Sequence, residues 1–446
     1  MPKFDPNDLQ RWTNGVWSKV PQVPVEGFCF DTRKLTKNAC FLALKTATND
    51  GHLYVKTARN CGASAVMVEH FIDDCDLPQL KVKNTLLAFQ SIARAYRQTL
   101  PTKVIALTGS AGKTSAKELL ALLFGEGTFK SHENLNNTLG VPFSLTQIDG
   151  PMHKISVLEA GISEKGEMDV LASMLQPDVS ILINIEPVHL EHFETLENIA
   201  IEKAKLLNAT RDRAYCPKQW AYLSQNVPTY VFSEDVSENN EKTILYHVTP
   251  TKNGWQCVVQ SQTFDVPFPL GHRMVQTFAM MMGVALDENI SPTDIQARLL
   301  HWKPLANRGS WQHIGDRRYF VDCYNANPSS FENSLEQFYR EVPKDAPIAY
   351  IIGSMLELGA QNAAFHQALG KNFHIQKKDV FVCIGTFAEN IKEGLLQYGA
   401  HASQIYTFQS TEEARLWVEK LPHTYFYLKG SRKYQLENLI VPMDRQ

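Results

Sequence analysis

Lys103-Val-Ile-Ala-Leu-Thr-Gly-Ser-Ala-Gly-Lys-Thr-Ser115 is the stretch from which the rest of the chain is read. An apolar, partly β-branched run breaks at two glycines and resumes as Lys117-Glu-Leu-Leu-Ala-Leu-Leu-Phe124, whose apolar residues line one face of a predicted helix. The order is strand, glycine-rich turn, helix, an arrangement that brings backbone N–H groups onto phosphate oxygens at a helix N-terminus. Gly109 and Gly112 permit the tight turn around Ser110 and Ala111. Lys113 has the reach for β- and γ-phosphates, and the Thr114 hydroxyl, followed by Ser115, is a suitable Mg²⁺ ligand. The full pattern asks for a glycine five positions before Gly112, where Leu107 stands, so the loop is a shortened one.

Downstream, two more buried-type strands are predicted. Ile155-Ser-Val-Leu-Glu159-Ala-Gly161 ends on a carboxylate, and Asp178-Val-Ser-Ile-Leu-Ile-Asn184 runs out into Glu186-Pro-Val-His189. Ligands of doubly wound sheets gather at the carboxyl ends of strands, which puts Glu159 where a Mg²⁺ ligand is needed. His189 just past a strand end reads equally as ligand or as structural histidine. Between these strands, Asn134, Asn136 and Asn137 form a cluster of amides able to meet phosphate or metal-bound water, or a plain polar loop. Leu196 to Leu207 has helical spacing with Lys203 and Lys205 near its centre, which by pattern alone fits surface lysines. Residues 211 to 270 are poorly patterned, with short strands at 243–248 and 256–259. Gly271-His-Arg273 opens a methionine-rich helix to Leu286, read as core packing.

From about residue 307 the alternation of strand and helix restarts, with strands at 319–322, 348–352, 380–384 and 425–428. Each ends in a polar or glycine-containing turn: Asp322-Cys-Tyr324-Asn325-Ala-Asn327-Pro328, Gly353-Ser-Met-Leu-Glu-Leu-Gly359, Gly385-Thr386, and Lys429-Gly-Ser431-Arg432. Four such turns on one sheet edge suggest a face closing over a ligand, and Arg308 beside the junction can reach phosphate from there. Residues 1 to about 100 carry short strands at 28–30, 40–44 and 65–68 and helices at 53–61 and 85–97. The turns Asp31-Thr32-Arg33 and Asn49-Asp50-Gly-His52 suit ligand binding or a polar surface.

Composition narrows the class. A net charge of -3 with no long basic run gives no reason to expect nucleic acid or an anionic membrane. No window approaches a membrane span, and the amino terminus has no apolar signal core. The eight scattered cysteines contain no CxxC pair and read as reduced thiols, so a cytoplasmic protein is expected.

Together these residues resemble the Mur ligase family of peptidoglycan synthesis over nearly the whole chain. The likeness rests on Thr108-Gly-Ser-Ala-Gly-Lys-Thr-Ser115, Asp31-Thr-Arg33, Asp50-Gly-His52, Asn134-x-Asn-Asn137-x-x-Gly-x-Pro142, Tyr324-Asn-Ala-Asn-Pro328, Met355-Leu-Glu-Leu-Gly359 and Lys429-Gly-Ser-Arg432. It implies an α/β fold of three domains: residues 1–100 binding the uridine-diphosphate end of a substrate, 101–306 a central ATP-binding parallel-sheet domain, and 307–446 a Rossmann-like domain. The nearest members join D-alanyl-D-alanine to a UDP-N-acetylmuramoyl-tripeptide with ATP, and small-molecule partners and a monomer are the matching expectations.

The resemblance also assigns roles. Lys113 and the loop amides hold ATP phosphates, Thr114 and Glu159 one Mg²⁺, and His189 a second. Lys203, in Ala200-x-x-Lys203, aligns with a lysine carbamylated by CO₂. Arg308 meets the γ-phosphate, Asp322 the ribose and Gln276 the adenine, while Asp31, Thr32, Arg33, Asp50, His52, the three asparagines, Tyr324, Asn325, Asn327, Lys429, Ser431 and Arg432 line the acceptor and donor sites. The chain departs from the family at Gln276, where asparagine is usual, at Ser354, where aspartate is usual, and at Thr46, where glycine is common. The competing expectations are a related amide ligase with another donor, a nucleotide-binding switch, for which no guanine-reading Asn-Lys-x-Asp turn is present, and a non-catalytic ligase-like binding protein.

Overall fold

The computed structural model describes residues 2–440 apart from 133, 236, 238 and 239, and among these the strands form three sheets in a mixed α/β fold. The chain divides into two compact units. The first comprises Met1–Thr108, Phe124–Leu182 and Glu202–Tyr230, the second Gly109–Leu123, Ile183–Ile201 and Val231–Gln446.

In the first unit, β1 (Val16–Trp17), β2 (Phe28–Cys29), β3 (Cys40–Leu42), β4 (Ala65–Val68) and β5 (Gln79–Lys81) make a sheet of order β1-β5-β4-β3-β2, parallel except for β1. Its central strand β4 is buried throughout, as expected of a continuous apolar run covered on both faces. Phe89 and Ile92 of the Thr85–Thr99 helix close one face, and Val55 and Ala58 pack against the other. The same unit holds β6 (Lys103–Thr108), β7 (Thr128–Lys130), β8 (Ile155–Glu159), β9 (Val179–Leu182) and β10 (Arg213–Pro217), all parallel in the order β7-β8-β6-β9-β10. β6 lies between β8 and β9, so its carboxyl end lies between theirs and delivers the chain into Gly109.

In the second unit, β11 (Thr229–Ser233) runs parallel to β12 (Thr243–Thr251), which continues as an antiparallel meander into β13 (Gly254–Val259) and β14 (Gln262–Val266). The methionine-rich helix His272–Asp287 packs over these strands with Met281 and Met282 fully buried, as core rather than surface. The carboxy-terminal sheet holds β15 (Ser310–Ile314), β16 (Arg317–Asp322), β17 (Ile348–Gly353), β18 (Val380–Ile384), β19 (Ile405–Phe408) and β20 (Tyr425–Lys429) in the order β15-β16-β20-β17-β18-β19. All pairs are parallel except β15 with β16. One face buries Phe338, Tyr350, Phe381 and Tyr427, the other Tyr319, Ile351, Val382 and Phe426, giving a doubly wound layer structure. Parallel pairing of β16, β20, β17 and β18 puts all four predicted functional turns on the same edge of that sheet.

The eight cysteines are unpaired thiols, and among the described residues no helix is long and apolar enough to cross a membrane.

Candidate active site

The phosphate loop forms as read from the sequence: β6 stops at Thr108, Gly112 takes a left-handed backbone (φ 76°), and a twelve-residue helix begins at Lys113. The first turn of that helix presents N–H groups and the positive end of its dipole. Lys113 folds back so that its Nζ donates to the Gly109 carbonyl at 2.8 Å, beside the buried Thr114 and Ser115. A residue not singled out in the sequence shapes this loop. Asn184, two residues past β9, accepts the Ser110 and Ala111 N–H groups on Oδ1 at 3.0 and 2.9 Å, and its Nδ2 donates to the Ala111 carbonyl at 3.2 Å. The Ser110 hydroxyl donates to the Glu186 carbonyl at 3.1 Å and accepts the Glu186 N–H at 2.9 Å.

Farther along the same segment, His189 sits in a left-handed conformation and its Nδ1 lies against the Glu357 carboxyl, which is held below the usual range by a hydrogen bond from the imidazole. Gly359 follows, and a Cβ there would lie 3.3 Å from the Glu191 nitrogen, so the turn after β17 fits closely on the His189 turn. Glu186 is buried, which raises its carboxyl above the usual range, while Arg273 at 3.0 Å opposes that shift.

The carboxy-terminal edge is a network in itself. Buried Lys429 donates to Asp322 Oδ2 at 2.6 Å, joining the ends of β20 and β16. Ser431 Oγ accepts the Leu356 N–H at 3.1 Å, and the Ser354 hydroxyl donates to the Ile384 carbonyl at 3.1 Å and accepts the Phe387 N–H at 3.0 Å. Ser354 is thus a buried, neutral brace between the turns after β17 and β18. The Arg308 guanidinium stacks 3.8 Å from the Tyr324 ring centre, which presents it on a flat, fixed support. Asn327 caps the Pro328–Glu341 helix in a capping box with Ser330, Asn325 accepts the Ala326 N–H, and Arg432 pairs with Glu437. Gln276 donates to Glu234 at 3.0 Å.

In the first unit, buried Glu159 accepts from Asn136 Nδ2 at 3.2 Å, while Asn137 Oδ1 accepts the Leu139 and Gly140 N–H groups. The predicted amide cluster therefore splits: Asn136 attends the carboxylate, Asn137 caps the short helix Gly140–Leu145, and Asn134 contributes its carbonyl to a turn. Lys203 is buried on the Leu196–Asn208 helix, not on a solvated face, whereas Lys205 bonds Asp169 and Glu202. Arg33 grips Asp31 with two bonds at 2.9 and 2.8 Å, holding that carboxyl down to about 2, with Thr32 between them. His52 is buried; its Nδ1 faces Asp50 at 2.6 Å and its Nε2 accepts the Glu69 N–H at 2.9 Å, so both ring nitrogens serve the local fold. No three His, Cys, Asp or Glu residues gather as a metal cage among the described residues. The Glu159 carboxylate in the first unit and the Thr114 hydroxyl in the second are both buried, and each is a hard oxygen of the kind Mg²⁺ takes.

Residues 107–270 match the Mur ligase middle domain and residues 309–432 the Mur ligase, glutamate ligase domain. The UDP-N-acetylmuramoyl-tripeptide--D-alanyl-D-alanine ligase of Rickettsia prowazekii is 30% identical over 361 residues, 76% of this chain and 78% of that relative. The chain belongs to the Mur ligase family. The Escherichia coli K12 ligase of the same description is 28% identical over 440 residues, 94% of this chain and 93% of the relative. A crystal structure of MurF from Acinetobacter baumannii superposes with a TM-score of 0.84 at 26% identity, covering 98% of both chains. The Mur ligase assignment thus spans the loop, the Glu159 strand, the His189 segment and the four carboxy-terminal turns.

Proposed function

We propose that the chain is an ATP-dependent ligase that joins the terminal carboxylate of UDP-N-acetylmuramoyl-tripeptide to the amine of D-alanyl-D-alanine, giving the pentapeptide precursor of peptidoglycan. The observation that carries this reading is a braced, shortened phosphate loop in a chain that matches such a ligase over 94% of its length.

In this reading residues 1–100 take the uridine-diphosphate end of the acceptor through the Asp31, Thr32 and Arg33 turn and the Asp50 and His52 turn. Residues 101–306 take ATP, and residues 307–446 take the dipeptide and complete the site. A tripeptide carboxylate oxygen attacks the γ-phosphorus, ADP leaves, and an acyl phosphate forms. The dipeptide nitrogen then attacks the acyl carbon, loses a proton, and inorganic phosphate departs as the amide forms. Lys113 and the loop amides hold the transferring phosphoryl group in line, and Arg308, kept flat by Tyr324, covers charge on its other side. Bound Mg²⁺ supplies further neutralisation of phosphate charge, with Thr114 and Glu159 as oxygen ligands and His189 toward a second ion. In the same reading Asp322 takes the ribose and Gln276 the adenine, and Tyr324, Asn325, Asn327, Lys429, Ser431 and Arg432 form the donor wall. The enzyme acts as a cytoplasmic monomer.

Carbamylation of Lys203 stands apart from this reading, because nothing in the matched relatives supports it. A carbamate would register as a bicarbonate-dependent mass gain that Lys203→Arg abolishes.

The decisive assay is phosphate release from ATP with Mg²⁺, the nucleotide tripeptide and the dipeptide, omitting each in turn. Release requires both peptide substrates, and Lys113→Ala lowers kcat/KM by about a thousandfold. Release indifferent to the dipeptide sinks the reading.

A further inference from the structure

The phosphate loop of this chain is two residues shorter between its glycines than the full pattern, with Leu107 where that pattern has glycine. A short loop has fewer of its own backbone groups with which to fix its curvature. Asn184 fills that gap from the neighbouring segment: one carboxamide satisfies the Ser110 N–H, the Ala111 N–H and the Ala111 carbonyl, and the Asn184 carbonyl also accepts the Ser110 N–H at 3.1 Å. Two positions on either side lock the same alignment. A Cβ on Gly109 would stand 3.2 Å from the Ile183 Cβ and 3.4 Å from Asn184 Oδ1, so glycine is what lets the loop lie this close. The Ser110 hydroxyl and the Glu186 backbone exchange two hydrogen bonds, continuing the zipper one residue pair farther.

We propose that Asn184 is the positioning residue for nucleotide phosphate in this ligase, its carboxamide standing in for the missing loop residues and aiming the remaining N–H groups at the start of the Lys113 helix toward the anion. The Ser110 and Ala111 amides are committed to Asn184, so they shape the loop that leads into the Lys113 helix. The brace belongs to the segment that leads on to His189, so the loop and that histidine are held by one piece of chain. This inference rests on the nucleotide reading of the site.

The experiment compares wild type, Asn184→Ala and Asn184→Asp by calorimetric binding of ADP with Mg²⁺, by separate KM values for ATP and D-alanyl-D-alanine, and by amide hydrogen exchange of Ser110 and Ala111 in the free protein. Losing three bonds, Asn184→Ala weakens ADP binding and raises the KM for ATP by about ten- to a hundredfold and speeds exchange at the Ala111 amide, while the Ser110 amide keeps the backbone carbonyl of residue 184; the dipeptide KM and the melting temperature are little changed. Asn184→Asp keeps an acceptor for both amides, so exchange stays slow. Its ADP binding still weakens, because the donor to Ala111 is gone and a negative charge faces the phosphates. Unchanged ADP affinity or unchanged Ala111 exchange in Asn184→Ala overturns the proposal, as does an equal rise in both KM values with a large fall in melting temperature. Wild type that binds no ADP overturns the nucleotide reading and the positioning role with it, whereas wild-type binding with indifferent variants overturns the brace alone.

Discussion

Gly430 shows how tightly single residues constrain the carboxy-terminal turns. A Cβ at this position would stand 2.6 Å from the Gly353 Cα and 3.0 Å from its nitrogen, so the turns after β20 and β17 touch backbone to backbone. Gly430→Ala therefore forces the two strand ends apart, at a cost of about 1–3 kcal/mol, and drags Lys429 and Ser431 off Asp322 and Leu356. Denaturant midpoints and ligation rates should both fall, and retention of full activity would show that this edge tolerates separation. Which residues could be read in the sequence follows from the same logic. Lys113, Gly112, Lys429 and Asp322 carry a chemical type at a strand end, and the structure places them in the predicted turns. Asn184 carries a common polar type at a strand end too, but its role depends on the two N–H groups opposite, which lie more than seventy residues away and leave no local mark. His52 and Asn327 also have local bonds that no neighbouring residue announces, to the Glu69 N–H and as a helix cap.

Elements were legible where both faces of a strand are buried. β18 was read at its true bounds, and β16, β17 and β20 within two residues, because continuous apolar runs need no help from their partners. The stretch 211–270 was not: β12, β13 and β14 alternate buried and exposed positions in an antiparallel meander, so their apolar density is halved and only fragments showed. At the Asn362–Ala368 helix, packing decides a protonation state. His366 is fully buried, its Nε2 accepts the Met355 N–H at 2.8 Å and its Nδ1 donates to the Asn362 carbonyl at 2.6 Å, so only the neutral ring fits and burial pushes it down to about 4. The unfolded ring protonates near its ordinary 6.5, so the unfolded state binds the extra proton first. The stability from this residue is complete above pH 6.5 and is lost as pH falls toward about 4, a change on the order of 3 kcal/mol. Denaturation of wild type and His366→Gln between pH 7.5 and 4.5 measures it: the wild-type advantage should shrink steadily over that range, and a constant difference would refute the neutral buried ring.

At the scale of the whole molecule, the second unit depends on a seam that no local pattern reveals. The His272–Asp287 helix starts after Gly271, which has no side chain to cap it. The caps come from the Pro328–Glu341 helix instead: Glu336 accepts the His272 N–H at 2.7 Å and Asn333 the Met274 N–H at 3.1 Å. Arg273 adds contacts to Glu186 at 3.0 Å and Glu332 at 3.8 Å, and Arg340 lies 4.2 Å over the Trp255 ring. Residues on either side of position 307 are thereby tied together, which places the support of the nucleotide segment and that of the carboxy-terminal turns on one joint. Removing both caps with Asn333→Ala and Glu336→Ala should cost about 1 kcal/mol each, less than additively because they serve one helix end. The phosphate loop keeps its own brace at Asn184, so ADP affinity should survive. On the roles proposed for Arg308 and Lys429, both of which follow position 307, kcat should fall several-fold. Parallel loss of ADP affinity and kcat would mean instead that the seam supports the loop itself, and an unchanged kcat would mean that the alignment of the two segments is set elsewhere.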